Sequence, residues 1–211
     1  MRYAIVDNVK AEPSPKLRGI CPCCGGETIS KCGRFKVHHW AHKDKLHCDP
    51  WWENESEWHR SWKNYFLPEH QEVVFQDQNT LERHIADVYV PDRWVIEFQS
   101  YTIDDAEARS REAFYKNMIW VVNGAKNEFD KVYFGNSLCG PHTNDPCYRM
   151  IKWHGRSKLL ARWSTATKPV YFDFGVDAIW QLLSFDCQTK QGEVRAHEKS
   201  EFIRQFGGIV T

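Results

Sequence analysis

Strand-period stretches dominate the middle of this chain. His84–Val90 and Trp94–Gln99 are rich in strand formers, and a short break at Pro91-Asp92-Arg93 separates them. Side chains alternate along a strand, so Ile85, Asp87 and Tyr89 share one face while Ala86, Val88 and Val90 share the other. On the second stretch Val95, Glu97 and Gln99 fall together, with Trp94, Ile96 and Phe98 opposite. Upstream, Asp49-Pro50 reads as a helix start, and Trp51 to Phe66 runs on without glycine or proline. At helical spacing Trp51, Trp58, Trp62, Tyr65 and Phe66 gather into one stripe, the expected buried face. Glu72–Phe75 is a short strand after Pro68.

Downstream, Thr102 or Asp104 caps a predicted helix running to about Asn117, with Arg109 and Arg111 on it and Phe114, Tyr115 and Met118 as core contacts. Met118–Val122 is a continuous apolar strand ended by Asn123-Gly124. A strand, a helix and a buried strand imply a right-handed crossover to a parallel neighbour. The predicted order is helix, three strands, helix, strand. At the margins, Tyr3–Val6, Lys131–Phe134 and Pro169–Gly175 read as strands. Asp177–Phe185 reads as a short amphipathic segment that extends the sheet with Pro169–Gly175, and Gly192–Thr211 as a charged tail with a helix between Glu198 and Phe206.

Length and composition narrow the class. At 211 residues the chain holds one sizeable domain plus a small module, or two small domains. Ten tryptophans predict an aromatic-heavy core. Lysine plus arginine equal aspartate plus glutamate at 28 each, so any nucleic-acid contact must come from a local basic face. No apolar run is long enough to span a membrane, and no signal-peptide pattern opens the chain, so the expected location is the cytoplasm. There the 8 cysteines are reduced and free to bind metal.

Cys21-Pro22-Cys23-Cys24-Gly25-Gly26 contains a C-x-x-C-G knuckle. Its glycine lets the backbone turn so that both thiolates face one ion. His39 and His42 follow at a spacing that lets two imidazoles reach the same ion. Cys21, Cys24, His39 and His42 are the expected structural zinc ligands; Cys23, Cys32, His38 and above all Cys48 are alternates. The metal would supply folding energy to a segment too short and polar for its own core. A second cluster from Cys139 through His142 to Cys147 has poor spacing for a metal.

The acids form a second constellation. If Pro91-Asp92-Arg93 is a three-residue loop, counting back from Val90–Trp94 sets Asp87 against Glu97. Directly opposed residues have Cβ atoms about 5 Å apart, so the two carboxylates repel unless a cation lies between them or one is protonated. Such an oxygen site suits Mg²⁺ or Mn²⁺. On the preceding helix Glu55, His59 and Lys63 step by four, a pattern also met in ordinary surface ladders. Arg149, Lys152, His154, Arg156, Lys158 and Arg162, interleaved with Trp153 and Trp163, are the most basic stretch. That stretch fits a nucleic-acid surface or a solvated strand pair equally well.

Glu55-Ser56-x-x-His59-x-x-x-Lys63, Ile85-Ala86-Asp87-Val88, Val95-Ile96-Glu97-Phe98-Gln99-Ser100, Arg111–Tyr115 and Ile119-Trp120-Val121, behind the cysteine knuckle and His39-Trp40-Ala41-His42, resemble the competence protein CoiA-like nucleases of the PD-(D/E)XK superfamily. The resemblance covers about residues 20 to 123. It implies an α/β restriction-endonuclease-like core at 50–135, after an N-terminal strand and linker at 1–19 and a zinc module at 20–49, and before a mainly-β extension at 136–211. It further implies Mg²⁺- or Mn²⁺-dependent hydrolysis of DNA, with branched or recombination-related DNA among the expected substrates. Asp87 and Glu97 would bind the catalytic metal, with Glu55 at a second ion or orienting water. Gln99 stands where the superfamily carries a lysine; it would position the water, and Lys63 would supply the missing charge. His59 is expected at the Glu55 carboxylate or at phosphate, and Arg111 likewise; outside the resemblance, Arg156 and Lys158 of the basic stretch are the expected DNA contacts. The rival readings are a zinc-containing DNA-binding protein without catalysis, the same metal chemistry on RNA or nucleotides, and a protein–protein scaffold suggested by the tryptophan content.

Overall fold

The computed structural model describes residues 1–44, 48–53, 55–140 and 144–210. The chain is mixed α/β and divides into two compact units, Met1–Tyr89 and Val90–Thr211.

The first unit opens with a five-stranded antiparallel sheet. Its strands are β1 (Ala4–Val6), β2 (Val9–Ala11), β3 (Arg18–Ile20), β4 (Glu27–Lys31) and β5 (His39–His42), in the order β2-β1-β3-β4-β5. Residues 1–19, expected as a strand and linker, thus belong to the same sheet as the cysteine knuckle. A small core of Met1, Ala4, Cys21, Cys23 and Trp40 lies against it, with Val74 and Ile85 packed on from the following strands.

Those strands are β6 (Gln71–Gln76) and β7 (Arg83–Val90), paired antiparallel from Gln71↔Val88 to Gln76↔Arg83. Burial along β7 alternates as the sequence predicts: His84, Ala86, Val88 and Val90 are buried, while Ile85, Asp87 and Tyr89 are half-buried.

Ahead of them, helix α1 is shorter than predicted. It spans Glu57–Lys63 rather than Trp51–Phe66, and its N-cap is Ser56. Asp49 does not cap a helix. Its carboxylate accepts the N–H of Trp51 at 2.9 Å and of Ile85 at 2.8 Å, and lies 2.9 Å from His84 Nδ1. The acid is occupied by tertiary contacts, and α1 begins only at Glu57. Glu55 therefore precedes the helix instead of riding on it.

In the second unit, β8 (Trp94–Gln99), α2 (Asp105–Phe114) and β9 (Met118–Asn123) form the predicted strand, helix and parallel strand, with Val95↔Met118 through Gln99↔Val122 in register. Asp104 caps α2 by accepting the Glu107 N–H at 2.8 Å. The helix ends at Phe114, and Glu112 clamps it down: its carboxylate accepts Trp120 Nε1 at 2.9 Å and the Thr167 hydroxyl at 2.6 Å.

Beyond lie α3 (Glu128–Ser137), β10 (Tyr148–Lys152), α4 (Leu159–Trp163), β11 (Val170–Asp173), β12 (Ala178–Asp186), β13 (Gln191–Glu198) and α5 (Lys199–Gln205). Strand order within this unit is β10-β13-β12-β11-β9-β8, with β11 parallel to β9 and the rest of the extension antiparallel. Two expectations are corrected here. Lys131–Phe134 is helical within α3, because Asn127 caps the segment and Phe134 packs inward on Phe174. The start of the charged tail is a strand, β13, the hairpin partner of β12, which extends the sheet as expected for Asp177–Phe185. Among the described residues no helix is long and apolar enough to cross a membrane.

Candidate metal centre and buried acid cluster

The cysteine knuckle folds as a tight turn. Gly25 N–H bonds the Cys21 carbonyl at 2.9 Å, Cys21 N–H bonds the Gly26 carbonyl at 2.8 Å, and Gly25 has φ +74, a conformation glycine adopts without steric cost. The Gly26 N–H points at Cys24 Sγ at 3.3 Å. Cys21, Cys24, His42 and Cys48 place one ligand atom each within 4.8 Å of one another. A zinc tetrahedron with Zn–S bonds of about 2.3 Å has S···S edges of roughly 3.8 Å. Cys21 and Cys48 have their sulfurs 3.7 Å apart, and Cys24 Sγ lies 3.3 Å from His42 Nε2. Burial pushes the Cys21 and Cys48 thiols up, so ligation would release their protons. This Cys3His set fits a zinc ion.

His39 is not part of it. The expected i, i+3 pairing brings two imidazoles together on a helix, but His39–His42 is a strand, where residues three apart face opposite sides. His39 Nδ1 donates to the Val37 carbonyl at 2.8 Å instead. Cys48, the strongest alternate in the sequence, takes the fourth place. Of the weaker thiol cluster, Cys139 and Cys147 are exposed, and His142 lies outside the described residues.

The second constellation in the first unit centres on Lys63. Its ammonium is buried, 2.9 Å from Asp87 Oδ1, 3.1 Å from Glu72 Oε1 and 3.4 Å from Glu55 Oε1. Burial alone would lower its pKa, but Asp87, Glu72 and Glu55 outweigh it and hold the lysine charged well above its ordinary range. Glu55 is further held by Arg60 at 2.5 Å.

Glu72 was not singled out from the sequence. The β6–β7 register sets it opposite Asp87, between the pairs Gln71↔Val88 and Val73↔Ala86. It has φ +48, which costs a non-glycine residue on the order of 1–3 kcal/mol. That strain aims its carboxylate at the N–H groups of Arg2, at 2.7 and 2.9 Å, and of Tyr3 at 3.0 Å, as well as at Lys63. Burial opposes its ionisation, yet Lys63, the chain's terminal ammonium and these N–H groups bring its pKa down to about 2.

His59 is the N3 residue of the α1 capping box. Its N–H donates to Ser56 Oγ at 3.3 Å, and its Nδ1 accepts the Ser56 N–H at 3.4 Å. It orders the turn that follows Glu55.

In the second unit Glu97 is buried on β8, and its Oε2 accepts Arg111 Nη1 at 3.0 Å. Arg111, expected at phosphate, is itself buried and also grips Glu107, with Nε 3.1 Å from Oε1. It positions Glu97. Gln99 is buried too, its amide N–H donating to the Tyr101 carbonyl at 3.1 Å. Arg156 and Lys158 are exposed, whereas Trp153 and Trp163 are buried, so the basic stretch has no aromatic platform at its surface.

No protein-family model, curated protein or solved structure matches the chain.

Proposed function

We propose that this protein is a metal-dependent nuclease that hydrolyses DNA phosphodiester bonds, with a structural zinc site in its first unit. The reading rests above all on the burial of Lys63 among Glu55, Glu72 and Asp87. Buried ion clusters are weak sources of stability, so groups held this way are candidates for chemistry. Glu55, Lys63 and Asp87 are the residues that the nuclease resemblance selects in this segment. The element order α1, β6, β7, β8, α2, β9 is also the order that the resemblance implies.

The donor set is hard oxygen, the type Mg²⁺ and Mn²⁺ take, and three of these carboxylates already share one cation. The resemblance names Asp87, Glu55 and Glu97 as the metal's ligands. Once bound, the ion lowers the pKa of its water and offsets charge on the phosphate. Lys63 supplies the positive charge that Gln99 cannot. Arg111 fixes the Glu97 carboxylate, Glu72 fixes Lys63, and Gln99 offers an amide to the attacking water.

The test is an assay on single-stranded, duplex and branched DNA and on RNA, with Mg²⁺ or Mn²⁺, beside Glu97→Ala and Asp87→Ala. Metal-dependent cutting by the wild type that both variants lose is the expected result. Cutting that survives Glu97→Ala overturns the assignment. The Cys3His cluster favours one second reading, a zinc-containing DNA-binding protein without catalysis; DNA retention with no cutting under any metal supports that instead.

A further inference from the structure

The second unit holds a cavity of about 370 Å³ at the carboxyl ends of β8 and β9. Parallel α/β sheets take small ligands at such strand ends, and the volume is within the range of small-molecule sites, about 300–1,000 Å³. Two exposed cations border it, Lys126 and Arg162. Lys126 Nζ lies 3.2 Å from the Tyr101 ring centroid, and Arg162 Nη1 donates to Thr102 Oγ1 at 2.9 Å. The lining also carries the amides of Gln99 and Asn123 and the buried carboxylate of Asp130, beside apolar groups such as Ile103 and Trp163.

That mixture selects among ligands. A compact anion gains from Lys126 and Arg162 but meets Asp130, which repels it. A ligand with an anionic end and a separate edge of hydrogen-bond donors and acceptors satisfies both sets. Tyr101 adds a half-exposed ring on which a planar group can stack. The geometry points to a binding site for a nucleoside monophosphate unit, its phosphate at Lys126 and Arg162 and its base edge at Gln99, Asn123 and Asp130. A free mononucleotide and the 5′-phosphorylated end of a strand share this chemistry. The choice of nucleotide rests on the nuclease reading.

Calorimetric titration of the full, zinc-loaded chain without added Mg²⁺ tests binding apart from cleavage. The titrants are deoxyadenosine 5′-monophosphate, deoxyadenosine, inorganic phosphate, and a short oligodeoxynucleotide with and without its 5′-phosphate. The expected result is that a phosphorylated nucleotide binds about tenfold more tightly than deoxyadenosine or phosphate, a margin typical of one charge-assisted contact. Lys126→Ala combined with Arg162→Ala removes that advantage, Lys126→Arg restores part of it, and Lys116→Ala, exposed between α2 and β9, leaves it intact. Binding by the oligonucleotide alone identifies a strand end; binding by the mononucleotide as well identifies a free nucleotide. No binding of either at millimolar concentration overturns the site, as does equal binding by the double variant or by phosphate alone. Variant-sensitive binding without cleavage in the magnesium assay leaves this site standing and removes the nuclease reading; cleavage without it does the reverse.

Discussion

At the residue scale the acid cluster is held by opposing charges at short range. Lys63 answers three carboxylates; its removal takes that cation from buried Glu72 and half-buried Asp87, while Glu55 keeps Arg60. Lys63→Ala is expected to destabilise the fold by about 3–5 kcal/mol, measured by urea unfolding at neutral pH. A loss below about 1 kcal/mol would show that water reaches these acids and that the cluster is not buried in solution. Glu72 gives the pH dependence. Its folded pKa is about 2 against an unfolded value near 4.5, so its contribution is present above pH 4.5 and drains away as pH falls toward 2. At about 1.4 kcal/mol per unit, that is roughly 3 kcal/mol. Glu72→Gln should be less stable than wild type at neutral pH and flatter between pH 4.5 and 2; parallel acid-unfolding curves would contradict this. Glu55 and Lys63 were singled out by a helical step that Glu55, lying ahead of α1, does not keep, and Asp87 by its place among strand formers on β7. Glu72 was not, because its role depends on the β6–β7 register and on a positive φ that no residue pattern announces.

At the element scale, misread periods explain the two misplaced site features. His39-Trp40-Ala41-His42 carries two histidines at helical spacing, and only its pairing with β4 makes it a strand that turns His39 away. Zinc measured by atomic absorption should therefore remain near one per chain in His39→Ala and fall in His42→Ala and Cys48→Ser. Retention in Cys48→Ser would exclude Cys48 as a ligand. Asp49-Pro50 has the composition of a helix start, yet Asp49 is taken by His84 and the Ile85 N–H, so the helix begins at Ser56. Ser56→Ala should cost about 1 kcal/mol by thermal unfolding, the usual value of an N-cap. A neutral result would mean that the His59 ring holds the turn by itself.

At the scale of the whole molecule, the two units draw on cores of different kinds. The second buries Trp120, Phe172, Ile179 and Val194 in its strands, with Phe202 of α5. Its last strands were hard to read because β12, Ala178–Asp186, has an apolar run without clean alternation, half exposed along most of its length. The first unit's five-stranded sheet rests on Met1, Ala4, Cys21, Cys23 and Trp40, two of them cysteines of the knuckle. So small a core leaves much of that sheet's folding free energy to the metal, for which structural zinc supplies about 10–16 kcal/mol in small peptides. Chelation should then act locally. In hydrogen–deuterium exchange after zinc removal, amides of β3, β4 and β5 are expected to lose protection first, while those of β9, β11 and β12 keep theirs. Uniform loss would mean that the chain unfolds as one cooperative body; unchanged protection in β3–β5 would mean that the Cys3His cluster contributes little to folding. With the sheet opened but the second unit intact, nucleotide binding at Lys126 and Arg162 should persist, since every residue lining that cavity lies beyond Tyr89.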